Sequence, residues 1–123
     1  MEVKVDIKKI IKLANSKTAT IQDVFTMAYQ EIEKFTKDRE DYYFQDFRDQ
    51  YARGEIVQDS DTAGKYADQI YKSLEVDIKA FAENYADRAI DAILDAKNEN
   101  KITSKMGATN MLILLTSLKE AYK

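Results

Sequence analysis

A chain of 123 residues is long enough for one domain with a buried core. Hydrophobic residues make up 45% and charged residues 33%, with no proline and three glycines, which favours helices over a loop-rich β fold. The net charge is −3, and the absence of cysteine and histidine excludes disulfides, thiolate nucleophiles, cysteine or histidine zinc sites and histidine general bases.

The first two predicted helices begin at recognisable caps. A first helix is predicted over residues 6–15, where isoleucines recur at helical spacing and Asp6 can cap the N-terminus. Thr20 and Asp23 then approximate a capping box. The helix that follows, over residues 21–36, has the clearest amphipathic pattern in the chain.

Residues 37–41 interrupt this pattern with the sequence Lys-Asp-Arg-Glu-Asp. The apolar side chains resume in a shifted register at Tyr43 and Phe47. Either one long helix bends here or two helices meet at a short joint. We favour a break near Asp41, with a second helical piece that ends at Gly54, a typical helix-terminating glycine.

The longest helical signal follows a predicted loop over residues 55–61 and runs from residue 62 to about 97. Its apolar side chains recur at intervals of eleven residues, for example at 67, 78 and 89. Such a repeat is close to that of a straight helix, so it predicts bundle packing rather than a left-handed coiled coil, with a kink near residues 75–77.

Residues 98–100 end that helix, and Thr103 or Ser104 can cap a last helix to about Tyr122. Its middle, residues 111–115, is apolar on more than one face, which is typical of a central helix. The elements together predict an all-α fold: a compact bundle of four to six helices around the apolar C-terminal helix, in a single helical domain over residues 1–123.

The predicted location is the cytoplasm. The first ten residues carry charge in every turn and lack the apolar stretch of a signal peptide, and no apolar run is long enough to cross a bilayer. We therefore expect a soluble, intracellular protein that does not enter a membrane. The frequent use of Lys, Asn and Ile agrees with an accessory protein of a low-GC microbe, or of its phages or mobile elements.

Charge is unevenly placed along the chain. Residues 1–17 and 97–123 each carry a net +3, whereas residues 31–61 carry −5. If the two basic ends meet in space, they could bind nucleic acid without sequence preference, although the simpler interpretation is ordinary solvated helix surface. The lysines of this alternative are Lys4, Lys8, Lys9, Lys12, Lys17, Lys97, Lys101 and Lys105.

Two acidic patterns resemble metal sites only in part. Residues 59–64 begin like a calcium-binding EF-hand loop, but the twelfth position is Ile70 instead of glutamate, so an ordinary helix cap is the better interpretation. Asp87, Asp91 and Asp95 line one helix face without a second acidic helix to complete a ligand set. We expect no metal, no cofactor and no enzymatic activity, and keep a carboxylate-based metal protein or enzyme as a third alternative.

The preferred hypothesis places a partner-binding surface on residues 38–53. Tyr43 and its neighbours at helical spacing are expected to face the core. The opposite side carries an exposed tyrosine among acids, which is typical of a protein-binding surface, although a solvated, amphipathic connecting helix is the simpler interpretation. The sequence thus predicts a small interaction module, an adaptor, assembly subunit or inhibitor, with a protein partner; homo-oligomerisation stays open. The predicted contact residues are Tyr42, Asp46, Asp49 and Arg53.

Overall fold

The computed structural model describes residues 3–16 and 18–123, and these residues form four α-helices. The helices are α1 (Ile7–Asn15), α2 (Ile21–Ala52), α3 (Ser60–Asn98) and α4 (Lys105–Ala121). No strand occurs among the described residues, so the all-α prediction is confirmed. None of the four helices is both long and apolar enough to span a membrane.

Each helix begins at a side-chain cap. Asp6 accepts a hydrogen bond from the backbone N–H of the third residue of α1, and Asp59 and Ser104 do the same for α3 and α4. At the start of α2, Thr20 and Asp23 form the reciprocal capping box that their spacing predicts. These caps satisfy N–H groups that have no partner within the helix.

The two long helices end in the same kind of turn. Gly54 has a φ of 73°, and its N–H and that of Glu55 donate to the carbonyls of Tyr51 and Gln50. This is a Schellman motif, and it confirms the predicted end of α2. Asn100, with a φ of 60°, occupies the equivalent left-handed position after α3.

The prediction of a helix break near Asp41 is wrong, because α2 is continuous through residues 37–41. The apolar pattern lapses there because the inward position is taken by a charged residue, Arg39. Its guanidinium reaches Asp77 of α3 at 3.0 Å, so an ion pair replaces an apolar contact without interrupting the helix.

The main core lies between α1, the first half of α2, the second half of α3 and α4. It takes α2 side chains only as far as Phe35 and α3 side chains only from Ile78 onward. Tyr85 is its largest fully buried side chain, and burial raises the pKa of this tyrosine to about 12. We call this four-helix part the bundle.

The remaining parts of α2 and α3 form a two-helix arm, residues 36–77, that extends beyond the bundle. At 1.5 Å per residue α2 and α3 are about 48 and 58 Å long, against about 14 and 26 Å for α1 and α4. The arm carries seven of the thirteen aromatic residues and a net charge of −5. Its buried side chains are separate from the main core: Ile56, Ile70 and Leu74.

Helix α4 is apolar, as predicted, but its neighbours do not cover it completely. Met111, Leu115 and Leu118 are buried against the other three helices, whereas Met106 and Ile113 stay 75% and 59% exposed. Since α3 also contacts all three other helices, the bundle is not built around α4 alone.

The end of α1 lies directly against the first turn of α4. A Cβ placed on Gly107 would come within 1.8 Å of the carbonyl oxygen of Ala14, so only glycine fits there. The contact is fixed by Asn15, whose Nδ2 donates to the Lys101 carbonyl at 2.8 Å and whose Oδ1 accepts from the Thr103 N–H at 2.9 Å.

Candidate partner-binding site

The arm presents an acidic face on the outer side of α2. Tyr42 is 62% exposed, and Asp46 and Asp49 are exposed with it. One shallow depression is lined by these three residues together with further polar side chains of the same helix: Asp38, Asp41, Gln45 and Arg48. Tyr42, Asp46 and Asp49 therefore share one surface. We call this surface the acidic face.

Hydrogen bonds along the helix hold the carboxylates of the acidic face in place. Gln45 Nε2 donates to Asp49 Oδ1 at 2.9 Å, and Gln50 Nε2 donates to Asp46 Oδ2 at 2.8 Å. Among the described residues, neither aspartate has a basic side chain within 4.0 Å. Their negative charges therefore remain available to an outside partner.

Arg53 lies one turn further along and is already paired. Its Nε and Nη2 donate to the two carboxylate oxygens of Glu55, each at 3.1 Å. The pKa of Arg53 is raised, first by these hydrogen bonds and to a smaller extent by the charges of Asp49 and Asp46. Arg53 thus lies at the edge of the acidic face and does not line the depression.

A second surface that the sequence does not predict adjoins the acidic face. Asp46 also lines a small aromatic groove between α2 and α3, where the rings of Phe47 and Tyr66 lie 5.5 Å apart. The hydroxyl of Tyr66 donates to Gln50 Oε1 at 3.2 Å. In the sequence, Tyr66 belongs to the apolar stripe of α3. Only the pairing of α2 with α3 places it beside Asp46.

A polar cluster fixes the base of the arm. Asp77 Oδ2 accepts hydrogen bonds from the Tyr43 hydroxyl at 2.6 Å and from Arg39 Nη2 at 3.0 Å. The guanidinium of Arg39 also lies 5.4 Å from the ring centre of Tyr42, a cation–π distance. Tyr42 is therefore held by the same cluster that joins α2 to α3.

The cluster makes a pH-dependent contribution to stability. The Tyr43 hydrogen bond, followed by those from Arg39, holds the pKa of Asp77 below its usual value. A lowered folded-state pKa stabilises the protein above the unfolded pKa, near 3.9, and this stabilisation is lost as the pH falls through the folded value. We expect Asp77→Asn to lower the free energy of unfolding by about 1 kcal/mol at pH 7.

Urea unfolding of the unchanged protein and of Asp77→Asn, between pH 7 and pH 3, measures the contribution of the cluster to stability. The difference between Asp77→Asn and the unchanged protein should shrink as the pH falls below about 4, because the unfolded chain then binds a proton at Asp77 while the folded protein, with its lowered pKa, still resists it. Asp68→Asn, at an exposed position of α3, is the control. It should change neither the free energy of unfolding at pH 7 nor the dependence of that free energy on pH. A constant difference at all pH values would contradict the assignment.

The segments that carry the predicted basic ends are neighbours in the structure. The hydrogen bonds of Asn15 place the end of α1, with Lys12, beside the α3–α4 loop, which contains Lys101 and leads into Lys105, the first residue of α4. Lys101 is paired with Glu99 at 2.7 Å, which lowers the charge of this region. Of the other predicted lysines, Lys4, Lys8 and Lys9 precede or lie in α1, Lys97 lies in the last turn of α3, and Lys17 is outside the described residues.

Two of the carboxylates considered for metal binding, Asp59 and Asp87, have structural partners. Asp59 is the N-cap of α3 and accepts from the Thr62 N–H at 2.7 Å, which lowers the pKa of this carboxyl group. Asp87 pairs with Lys119 of α4 at 2.8 Å. Within the described part of the chain, no group of three or more carboxylates is placed to hold a metal ion.

Comparisons with protein families, curated proteins and solved structures find no match to this chain.

Proposed function

We propose that this protein is a helical interaction module that binds a basic protein partner through the acidic face of its arm. The observation that supports the proposal is the exposure of Tyr42, Asp46 and Asp49 on one face, with both aspartates free of ion pairs among the described residues. Tyrosine contributes a large contact area with little loss of side-chain entropy, and uncompensated carboxylates attract lysine and arginine.

The geometry of the arm fits this role. The two paired helices of the arm present the acidic face beyond the bundle. Arg39, which is hydrogen-bonded to Asp77, lies over the ring of Tyr42 and helps to fix its position. The aromatic groove beside Asp46 offers a cation–π environment for one basic side chain of the partner. Presentation of a preorganised surface is what an adaptor, assembly subunit or inhibitor requires.

The test is affinity capture of partners from a lysate of the source organism by the tagged protein, with nuclease present. We expect to recover a basic partner in a near-stoichiometric amount. A variant that combines Tyr42→Ala, Asp46→Lys and Asp49→Lys should recover at least tenfold less of this partner. These side chains are exposed, so the melting temperature should stay unchanged. Equal recovery of the partner by the triple variant would refute the proposal.

A matched variant separates the surface from net charge. Asp91→Lys and Asp95→Lys change the charge by the same amount on an exposed part of the bundle, and Tyr71→Ala removes another exposed tyrosine of the arm. The partner should be retained by this control. Loss of the partner in both variants would show a response to overall charge alone.

A further inference from the structure

An open apolar groove lies at the end of the bundle far from the arm. The end of α1, the start of α2 and α4 enclose about 310 Å³, near the lower limit of ligand sites, roughly 300–1,000 Å³. Its two rims each carry an exposed isoleucine, Ile21 at 62% and Ile113 at 59%. Met106, which is 75% exposed, lines an adjoining depression. The apolar side chains of the groove itself include Leu13, Val24 and Met111.

A basic strip runs beside this groove. A further depression, distinct from the one that Met106 lines, shares Leu13, Ser16 and Ala19 with the groove, so this basic depression and the groove are continuous. Its basic lining residues are Lys8, Lys9 and Lys12. Among the described residues none of these lysines has a carboxylate within 4.0 Å.

The two carboxylates of the same depression are already engaged. Asp6 Oδ1 accepts from the Lys9 backbone N–H at 3.1 Å, and Asp23 Oδ2 accepts from the Thr20 N–H at 2.8 Å. Both therefore stabilise helix N-termini, and each keeps its negative charge. With three lysines against two aspartates, the described lining of this depression keeps a net charge of +1 beside the apolar groove.

We propose that this groove is a second binding site, and that its ligand is an acidic amphipathic helix of a protein partner. Apolar side chains on one stripe of such a helix would enter the groove between Ile21 and Ile113. Its flanking glutamates or aspartates would face the lysines of α1. This is the helix-in-groove mode of recognition, and here the charges of groove and ligand are complementary.

Two other ligands fit the site less well. Nucleic acid would use the lysines, but none of the described residues that line the groove and the basic depression is aromatic, so they offer no ring on which bases could stack. A second copy could offer its arm or the α3 face with Asp87, Asp91 and Asp95 as the acidic element. Most apolar side chains of the arm face its own partner helix, however, and Asp87 is already paired with Lys119. The surface also differs from the acidic face in charge and position, so the two proposals stand or fall separately.

The experiment uses methyl-labelled full-length protein and two synthetic 18-residue helical peptides, followed by NMR. Both peptides carry leucines on one stripe; one has glutamates beside the stripe and the other has lysines. We expect saturable shifts of the Ile21, Ile113 and Met111 methyl signals with the glutamate peptide, no shift at Ile70 of the arm, and at least tenfold weaker binding of the lysine peptide.

Variants test the two parts of the site separately. Ile21→Ser with Ile113→Ser should weaken binding at least tenfold, whereas Val76→Ser, an equally exposed residue of the arm, should have no effect. Lys8→Glu with Lys12→Glu should abolish the preference for the glutamate peptide.

Several results would overturn the proposal. No saturable shift up to about 1 mM peptide, or equal binding of both peptides, would refute it. Shifts of the same methyl signals with protein concentration alone would assign the groove to a second copy. Displacement of the peptide by a 20-nucleotide RNA, with binding that falls steeply with salt, would assign it to nucleic acid.

Discussion

Replacing Gly107 with alanine is expected to lower the free energy of unfolding by about 3 kcal/mol or more. The added methyl group would stand 1.8 Å from the carbonyl oxygen of Ala14, and a backbone atom cannot rotate away as a side chain can. The end of α1 cannot move away without breaking contacts, because two hydrogen bonds of Asn15 hold it against the α3–α4 loop. Thermal unfolding should show a melting temperature about 10 °C lower.

Gly64→Ala provides the matched control. Gly64 also lies in a helix, but a Cβ there would meet nothing within 4 Å. Alanine should therefore stabilise α3 by about 0.5–1 kcal/mol through its higher helix propensity. If Gly107→Ala unfolded at the same temperature as the unchanged protein, the close contact between α1 and α4 would not exist as described.

The second large effect is expected from Leu115→Ala, which should cost about 2–5 kcal/mol of global stability. Leu115 is 1% exposed in the main core, and its removal leaves a cavity that other helices enclose. Native-state hydrogen exchange should therefore accelerate throughout the bundle, including the slowest amides around Ile93 of α3.

Leu74→Ala makes the same chemical change in the arm and should behave differently. Leu74 is 4% exposed, but it lies in the two-helix arm, outside the main core. We expect faster exchange for the arm amides, while the slowest amides of the bundle keep their rates. Equal acceleration in both regions would show that arm and bundle unfold as a single cooperative unit.

Local chemistry made the helix boundaries predictable. Thr20 with Asp23, Gly54 and Ser104 act within a few residues of their own position, so their roles follow from spacing alone. The prediction of a break near Asp41 is wrong because it depends on a contact between residues far apart in the sequence. A charged residue at an inward position interrupts the hydrophobic pattern, and the sequence does not reveal that Asp77, 38 positions later, satisfies it.

The same limit applies to the candidate site. Helical period alone places Tyr42, Asp46 and Asp49 on one exposed side of α2. The division into bundle and arm depends on which half of each long helix α1 and α4 cover, and no local pattern encodes that. The aromatic groove beside Asp46 likewise requires Tyr66, which reaches it only after the chain reverses at Gly54.

The division of charge between arm and bundle gives the molecule a permanent electric dipole moment. The arm carries eleven carboxylates against six basic side chains, and the rest of the chain has thirteen basic residues against eleven acids. Helices α2 and α3 run antiparallel, so their macrodipoles largely cancel and the side chains alone set the direction. In the field of a basic partner the protein would turn before contact and arrive arm first, so that its association rate, more than its final affinity, would depend on ionic strength.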